Sequence, residues 1–233
     1  VKTLCICGKK RSGKDTVAAM VKSLYPSISY GLAYPVKVAL AAGFSGIKTN
    51  QGYLDYDAFD GTNENIDREA ILDIDFNVVI KSISMGFKVI GRDLQDELGA
   101  KAVSELMRGL SVEYNKNDGF SMRQLMQIVG TDIGCNVLGK DIWLNFMLDV
   151  WLKSLQKGIY EYFIVTDCRQ SHEIQMFRAM QANILHVNRT CINSTDTHIT
   201  EVGIEPLKNE QIIENSTTLD DLYESVKQSI YRN

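Results

Sequence analysis

The feature that most constrains this chain is the run Gly8-Lys9-Lys10-Arg11-Ser12-Gly13-Lys14. It has the spacing Gly-x-x-x-x-Gly-Lys. An apolar, strand-like stretch at 1–8 precedes it, and a helical pattern at 13–24 follows, marked by Val17, Met20, Val21 and Leu24. In such a unit the N–H groups of the loop and the positive end of the helix converge on phosphate oxygens. Glycine lets the backbone come close, and Lys14 adds a cation between the β- and γ-phosphates of a nucleoside triphosphate. The usual Ser or Thr after the lysine is replaced by Asp15, with Thr16 next. Asp15 and Thr16 are candidate magnesium ligands, directly or through water, and Thr16 can also bond the α-phosphate. Lys9 reads as a solvated surface charge. Lys10 and Arg11 lie inside the loop and can face two phosphates at once, which suits a donor and an acceptor brought together.

The rest of the chain alternates strands and helices. Strand patterns fall at 28–33, 160–166 and 183–188, with a short last one at 211–214. Tyr34-Pro35 opens a helix through residue 40, and further helices are predicted at 121–137, 141–156, 173–181 and 219–231. Ser121 and Asp141 are the candidate caps, and Gly158 is a natural stop. Texture changes between 43 and 120, where Gly, Asn and Asp are frequent at first and helical patterns follow near 68–85 and 99–110. The pattern predicts a three-layer α/β fold with a parallel sheet, formed by 1–42 and 121–233, with a mostly helical insertion at 43–120. Ligands in such sheets bind beyond the carboxyl ends of the strands.

A net charge of −4 over 233 residues disfavours general binding to a nucleic acid backbone, which rewards clustered Lys and Arg. No run approaches the length of a membrane span, and the apolar stretch 3–7 is too short for the core of a signal peptide. The five cysteines are odd in number and scattered, which fits a reducing cytoplasm. Cys5-Ile6-Cys7 reads as two buried thiols rather than a metal pair.

On the acceptor side the candidates are Lys37 after Pro35, Arg68 in Asp67-Arg68-Glu69, Arg123 opening a helix, and Arg169. The strand-end block Asp167-Cys168-Arg169-Gln170 stands out: its carboxylate can approach magnesium or a sugar hydroxyl, and its arginine can hold a phosphate bidentately. Gly130-Thr131-Asp132 interrupts a helical pattern, as a ligand approach or a plain irregularity. Trp143 is a core residue or a stacking surface for a base. His172, His186 and His198 lack metal spacing, and His186 reads as core; 197–201 reads as a loop. On residues alone, other small-molecule P-loop kinases (dephospho-coenzyme-A or phosphomevalonate type) and a non-catalytic nucleotide-binding regulator remain open.

The chain resembles the deoxynucleoside monophosphate kinases of T-even-type bacteriophages, nearly end to end. The resemblance is carried by Lys10-Arg-Ser-Gly-Lys-Asp-Thr16, by Asp67-Arg68-Glu69, by Leu125-Met-Gln127 with Gly130-Thr-Asp132, and by Asp167-x-Arg169-Gln170-x-His172-Glu173 continued in Asp196-Thr-His-Ile-Thr-Glu201. It implies transfer of the γ-phosphate of ATP, with magnesium, to dTMP, dGMP or 5-hydroxymethyl-dCMP. It also implies a homodimer in the cytoplasm of an infected bacterium. By the same resemblance Arg11, Gly13, Lys14, Asp15 and Thr16 bind ATP. Lys10, Val36, Lys37, Arg68, Gly130, Thr131, Trp143, Asp167, Arg169, Gln170 and Glu173 line the acceptor side. The catalytic set is Lys14, Arg11, Asp15 and Arg169. Two positions depart from the pattern: Cys168 stands where a threonine is expected, and Tyr34 where a glycine is.

Overall fold

The structure is a computed structural model that describes residues 1–9, 11–189 and 204–231. Lys10, Cys191, His198 and the 196–201 block lie outside the described residues. In chain order the elements are β1 (Lys2–Cys7), α1 (Lys14–Leu24), β2 (Ser27–Tyr30), α2 (Tyr34–Gly43), a short hairpin of β3 (Lys48–Thr49) and β4 (Gly52–Tyr53), α3 (Tyr56–Asp60), α4 (Phe76–Val89), α5 (Leu94–Asn117) and α6 (Met122–Gln127). A π-helix (Ile128–Leu138) follows, then α7 (Ile142–Lys157), β5 (Tyr162–Cys168), α8 (Ser171–Ala179), β6 (Asn183–Asn188), β7 (Gln211–Glu214) and α9 (Leu219–Tyr231). The chain divides into two compact units: Val1–Leu32 with Leu144–Asn233, and Ala33–Trp143. The second unit is wider at both ends than the 43–120 segment marked by composition.

In the first unit the described strands form a five-stranded sheet in the order β2-β5-β1-β6-β7. Every pairing in it is parallel. Side chains alternate across it, as the two-residue period of a strand requires. Leu4, Ile6, Tyr162, Ile164, Leu185 and Val187 point to one face, packed with Val17 and Val21 of α1 and Leu222 and Val226 of α9. Cys5, Cys7, Phe163, Val165 and Ile184 point to the other, packed with Leu144 and Met147 of α7 and Ile174 and Phe177 of α8. Burying each large aliphatic or aromatic side chain is worth roughly 1.5–3 kcal/mol, so both faces need cover and the three layers follow. Strand β1 is central, and the strands that follow it lie on both sides. The loop after β1 therefore sits at the switch point of the sheet, where such folds bind ligands.

In the second unit α2 is the hub, packing on α3, α4, α6 and the π-helix. Helix α4 starts at Phe76 rather than near residue 68, because the Asp75 side chain caps it by accepting from the Asn77 N–H at 2.8 Å. Arg68 instead lies in a turn. Helix α5 starts at Leu94 on an Asp93 cap and bends at Gly99, whose backbone (φ 75, ψ 159) is not helical. Ser121 caps α6 as its sequence suggested, in a reciprocal capping box with Gln124. The irregularity at Gly130-Thr131-Asp132 is the π-helix itself, a form concentrated at functional sites.

Candidate active site

The loop after β1 is tightly wound. Gly8 and Gly13 have φ of 151° and 101°, and Arg11, unusually for a residue with a side chain, has φ 63°. A Cβ on Gly8 would lie 2.5 Å from the Val187 carbonyl oxygen. Gly13 is the N-cap of α1 and has no side chain with which to cap that helix start. The first amides of α1 thus keep their hydrogen-bonding capacity for an anion, at the positive end of the helix. Lys14 arches over the loop and donates from Nζ to the Lys9 carbonyl at 2.7 Å. Ser12 is buried, and its hydroxyl has no hydrogen-bond partner among the described residues. Arg11, Asp15 and Thr16 are exposed around this cradle.

In the same unit Asp167 lies within β5 and accepts the Leu32 N–H. Arg169 and Gln170 form the turn into α8. That turn is held by Glu173, whose Oε2 accepts the N–H groups of Arg169 at 2.7 Å and Gln170 at 2.8 Å. Gln170 and Glu173 complete a reciprocal capping box. Burial pushes the Glu173 carboxyl up to about 7, against the pull of those two amides and of Arg169. The sign of the consequence is set by the proton: folded Glu173 keeps it up to about pH 7, whereas the unfolded chain releases it near 4.5. Its contribution to stability is therefore present below about pH 4.5 and lost as pH rises to about 7. Glu173→Gln keeps an acceptor without the titration. Denaturant unfolding at about pH 4.5 and about pH 7.5 is expected to show wild type losing on the order of 2–3 kcal/mol relative to the variant; parallel profiles would refute this.

Behind the loop the Cys5 and Cys7 sulfurs lie 3.7 Å apart in the core, and Cys168 joins them within 4.8 Å. Burial pushes the Cys5 thiol up, and Cys7, hydrogen-bonded by Cys168 and Cys5, is held lowest. His186 is a satisfied core histidine: its Nε2 is 2.8 Å from Glu210. Burial opposes charge on Glu210. Hydrogen bonds from Arg178, the Leu207 N–H and His186 overcome it and hold the carboxyl at about 2.

The remaining candidates belong to the second unit and form two groups. Val36, Gly130 and Trp143 come together. Trp143 is 4% exposed, donates its indole N–H to the Gly130 carbonyl at 2.7 Å, and fills the space a Cβ on Gly134 would need. Val36 is the neighbour of Gly130, 3.6 Å from where a Cβ would stand. Thr131 is half-buried beside them. The second group meets at Asp60, the end of α3. Lys37 Nζ pairs with its carboxylate at 2.7 Å, and Arg68 donates to its carbonyl at 3.4 Å and to Met126 Sδ at 3.2 Å. The Arg123 N–H donates to the Arg68 carbonyl, and its guanidinium lies 3.6 Å from Glu69. Sequence reasoning missed Asp60, which pairs with Lys37, and Asn215, whose side-chain Nδ2 donates to the Ser12 carbonyl at 2.8 Å. Neither carries a local signal, because each acquires its role from a residue distant in the chain.

A parallel sheet whose central strand runs into a glycine-walled, lysine-bearing loop at a helix N-terminus is the architecture of a P-loop kinase. The family model for deoxynucleotide monophosphate kinase matches residues 2–226. The chain is 33% identical to the deoxynucleotide monophosphate kinase of Enterobacteria phage T4 over 241 residues, covering 99% of each chain. It is 33% identical to that of Escherichia phage RB69 over 238 residues, 95% of this chain and 96% of the relative. A putative deoxynucleotide monophosphate kinase of Acanthamoeba polyphaga mimivirus is 25% identical over 117 residues, 46% of this chain and 60% of the relative. The chain belongs to the deoxynucleotide monophosphate kinase family, whose members are ATP-dependent phosphotransferases. No helix among the described residues is long and apolar enough to cross a membrane.

Proposed function

We propose that this chain passes the γ-phosphoryl group of ATP to the 5′-phosphate of a deoxynucleoside monophosphate, giving a diphosphate for DNA synthesis, with dTMP, dGMP and 5-hydroxymethyl-dCMP as the acceptors to test. The observation that carries the reading is the cradle: the start of α1 at Gly13, Lys14, a Ser12 hydroxyl with no hydrogen-bond partner among the described residues, and two glycines, Gly8 and Gly13, that leave no room for a Cβ. Arg11, Gly13, Lys14, Asp15 and Thr16 hold ATP in this reading. Exposed Asp15 and Thr16 offer only oxygen donors, the ligand type magnesium takes, so they are the residues to hold it. Bound magnesium would neutralise the β- and γ-phosphate oxygens. Lys14, Arg11, Lys10 and Arg169 offset the charge that spreads over the transferred group. The attacking phosphate oxygen is already ionised at neutral pH, so no strong general base is needed.

For the acceptor, Lys37 and Arg68 bind the monophosphate. Asp167, Arg169 and Gln170 complete its contacts, and Glu173 sets the turn that carries the last two. Val36, Gly130 and Thr131 line the nucleoside, and Trp143 acts through the Gly130 carbonyl it holds. The proposal extends to a homodimer in the cytoplasm of an infected bacterium.

The test is a steady-state assay across the four deoxynucleoside monophosphates and 5-hydroxymethyl-dCMP, with and without a magnesium chelator. Turnover of at least one acceptor is expected, abolished by the chelator. Arg68→Ala is expected to raise the acceptor KM roughly ten- to a hundredfold, the range for a lost charge-assisted phosphate contact, with the ATP KM unchanged. Absence of turnover on every acceptor sinks the proposal.

A further inference from the structure

Asn215 immediately follows β7, 203 positions beyond Ser12, yet it belongs to the phosphate loop. Its backbone N–H donates to the Asn188 carbonyl at 2.7 Å, which fixes it at the ends of β6 and β7. From there its side-chain Nδ2 donates to the Ser12 carbonyl at 2.8 Å. A Cβ on Gly13 would lie 2.3 Å from the same nitrogen, so Asn215 occupies space that exists only because residue 13 has no side chain. The C=O and N–H of one trans peptide point in opposite directions. Holding the Ser12 carbonyl toward Asn215 therefore turns the Gly13 N–H the other way. Gly13 is the N-cap of α1 and itself has no side chain to compete for that helix start. An unheld Ser12–Gly13 peptide is free to flip, because glycine populates both signs of φ.

We infer that Asn215 is a positioning residue for phosphoryl transfer: it locks the Ser12–Gly13 peptide so that the Gly13 N–H is presented to the triphosphate. It acts through the loop. This rests on the loop being the ATP site, as proposed above. Preorganised backbone donors contribute to catalysis because they need no reorganisation when charge develops.

The test compares Asn215→Leu and Asn215→Asp, both close in shape to asparagine and both without the amide donor, with wild type and with Lys14→Met. The readings are kcat, KM for ATP and for the monophosphate, ATP affinity by calorimetry, and thermal midpoint. Asn215→Leu is expected to lower kcat/KM for ATP about tenfold, the loss of one oriented hydrogen bond. Asn215→Asp is expected to lower it further, since its carboxylate faces a carbonyl and the triphosphate. The monophosphate KM is expected to stay unchanged in both. If Asn215→Leu does not fold, the same split is read from Asn215→Asp. Unchanged ATP parameters in a folded variant, or equal losses for both substrates with a fallen midpoint, would overturn the inference. Lys14→Met separates the two ideas. If it weakens ATP use and the Asn215 variants do not, only the inference fails; if Lys14→Met leaves ATP use intact, the loop reading fails first.

Discussion

Lys14→Met is expected to lower phosphotransfer on the order of a hundred- to a thousandfold while the protein stays folded. The magnitude is that of removing one preorganised charge from a site where negative charge develops. Lys14 is buried at 7% exposure, and its ammonium is held over the loop by the Lys9 carbonyl. Methionine preserves most of the stem that packs there, and the bond to the Lys9 carbonyl that it gives up is worth about 1 kcal/mol. Kinetics and thermal unfolding read the two effects separately. A thermal midpoint within a few degrees of wild type, with kcat collapsed, is the expected pair of results. Unchanged kcat would remove the cradle from the mechanism.

The second large effect concerns stability. Gly86→Ala is expected to destabilise the protein by about 2–4 kcal/mol. On helix propensity alone the same change within α4 would stabilise by up to ~1 kcal/mol. The reversal comes from packing: a Cβ at residue 86 would stand 2.3 Å from the Ala39 carbonyl oxygen of α2. On the other side of the contact, a Cβ at Gly43 would stand 2.0 Å from the Ser82 carbonyl oxygen. The two helices approach backbone to backbone, and neither atom facing the new methyl belongs to a flexible side chain. Gly109→Ala in α5 is the control. Nothing lies within 4 Å of its Cβ position, and it is expected to stabilise by ~0.5–1 kcal/mol. Denaturant unfolding of both variants checks the pair. Gly86→Ala matching Gly109→Ala in sign would refute the close approach.

Much of the first unit was legible because its determinants are local. The run Thr3–Cys7, the glycine spacing and the periodic Val17, Val21 and Leu24 specify strand, loop and helix within two dozen residues. The capping box at Ser121 was legible for the same reason. The segment between 60 and 120 was read less well. Asp75 and Asp93 cap α4 and α5, but acidic residues are frequent there and their capping role shows only in the backbone they bond. The π-helix showed in the sequence only as an interrupted period. Its form depends on Trp143 filling the space left by Gly134 and tying down the Gly130 carbonyl.

By itself the sequence determined the phosphate loop, the parallel α/β class and the family, because each is written in short-range spacing or in residue identities along the whole chain. Only the tertiary structure decided that Asn215 braces the loop, that Lys37 and Arg68 meet at Asp60, that Glu173 holds the turn of Arg169, and that Gly86 must stay bare. The pairs 12–215, 37–60 and 39–86 are far apart in the chain, and a residue's neighbours across a packed core are set by chain topology, which no local pattern encodes.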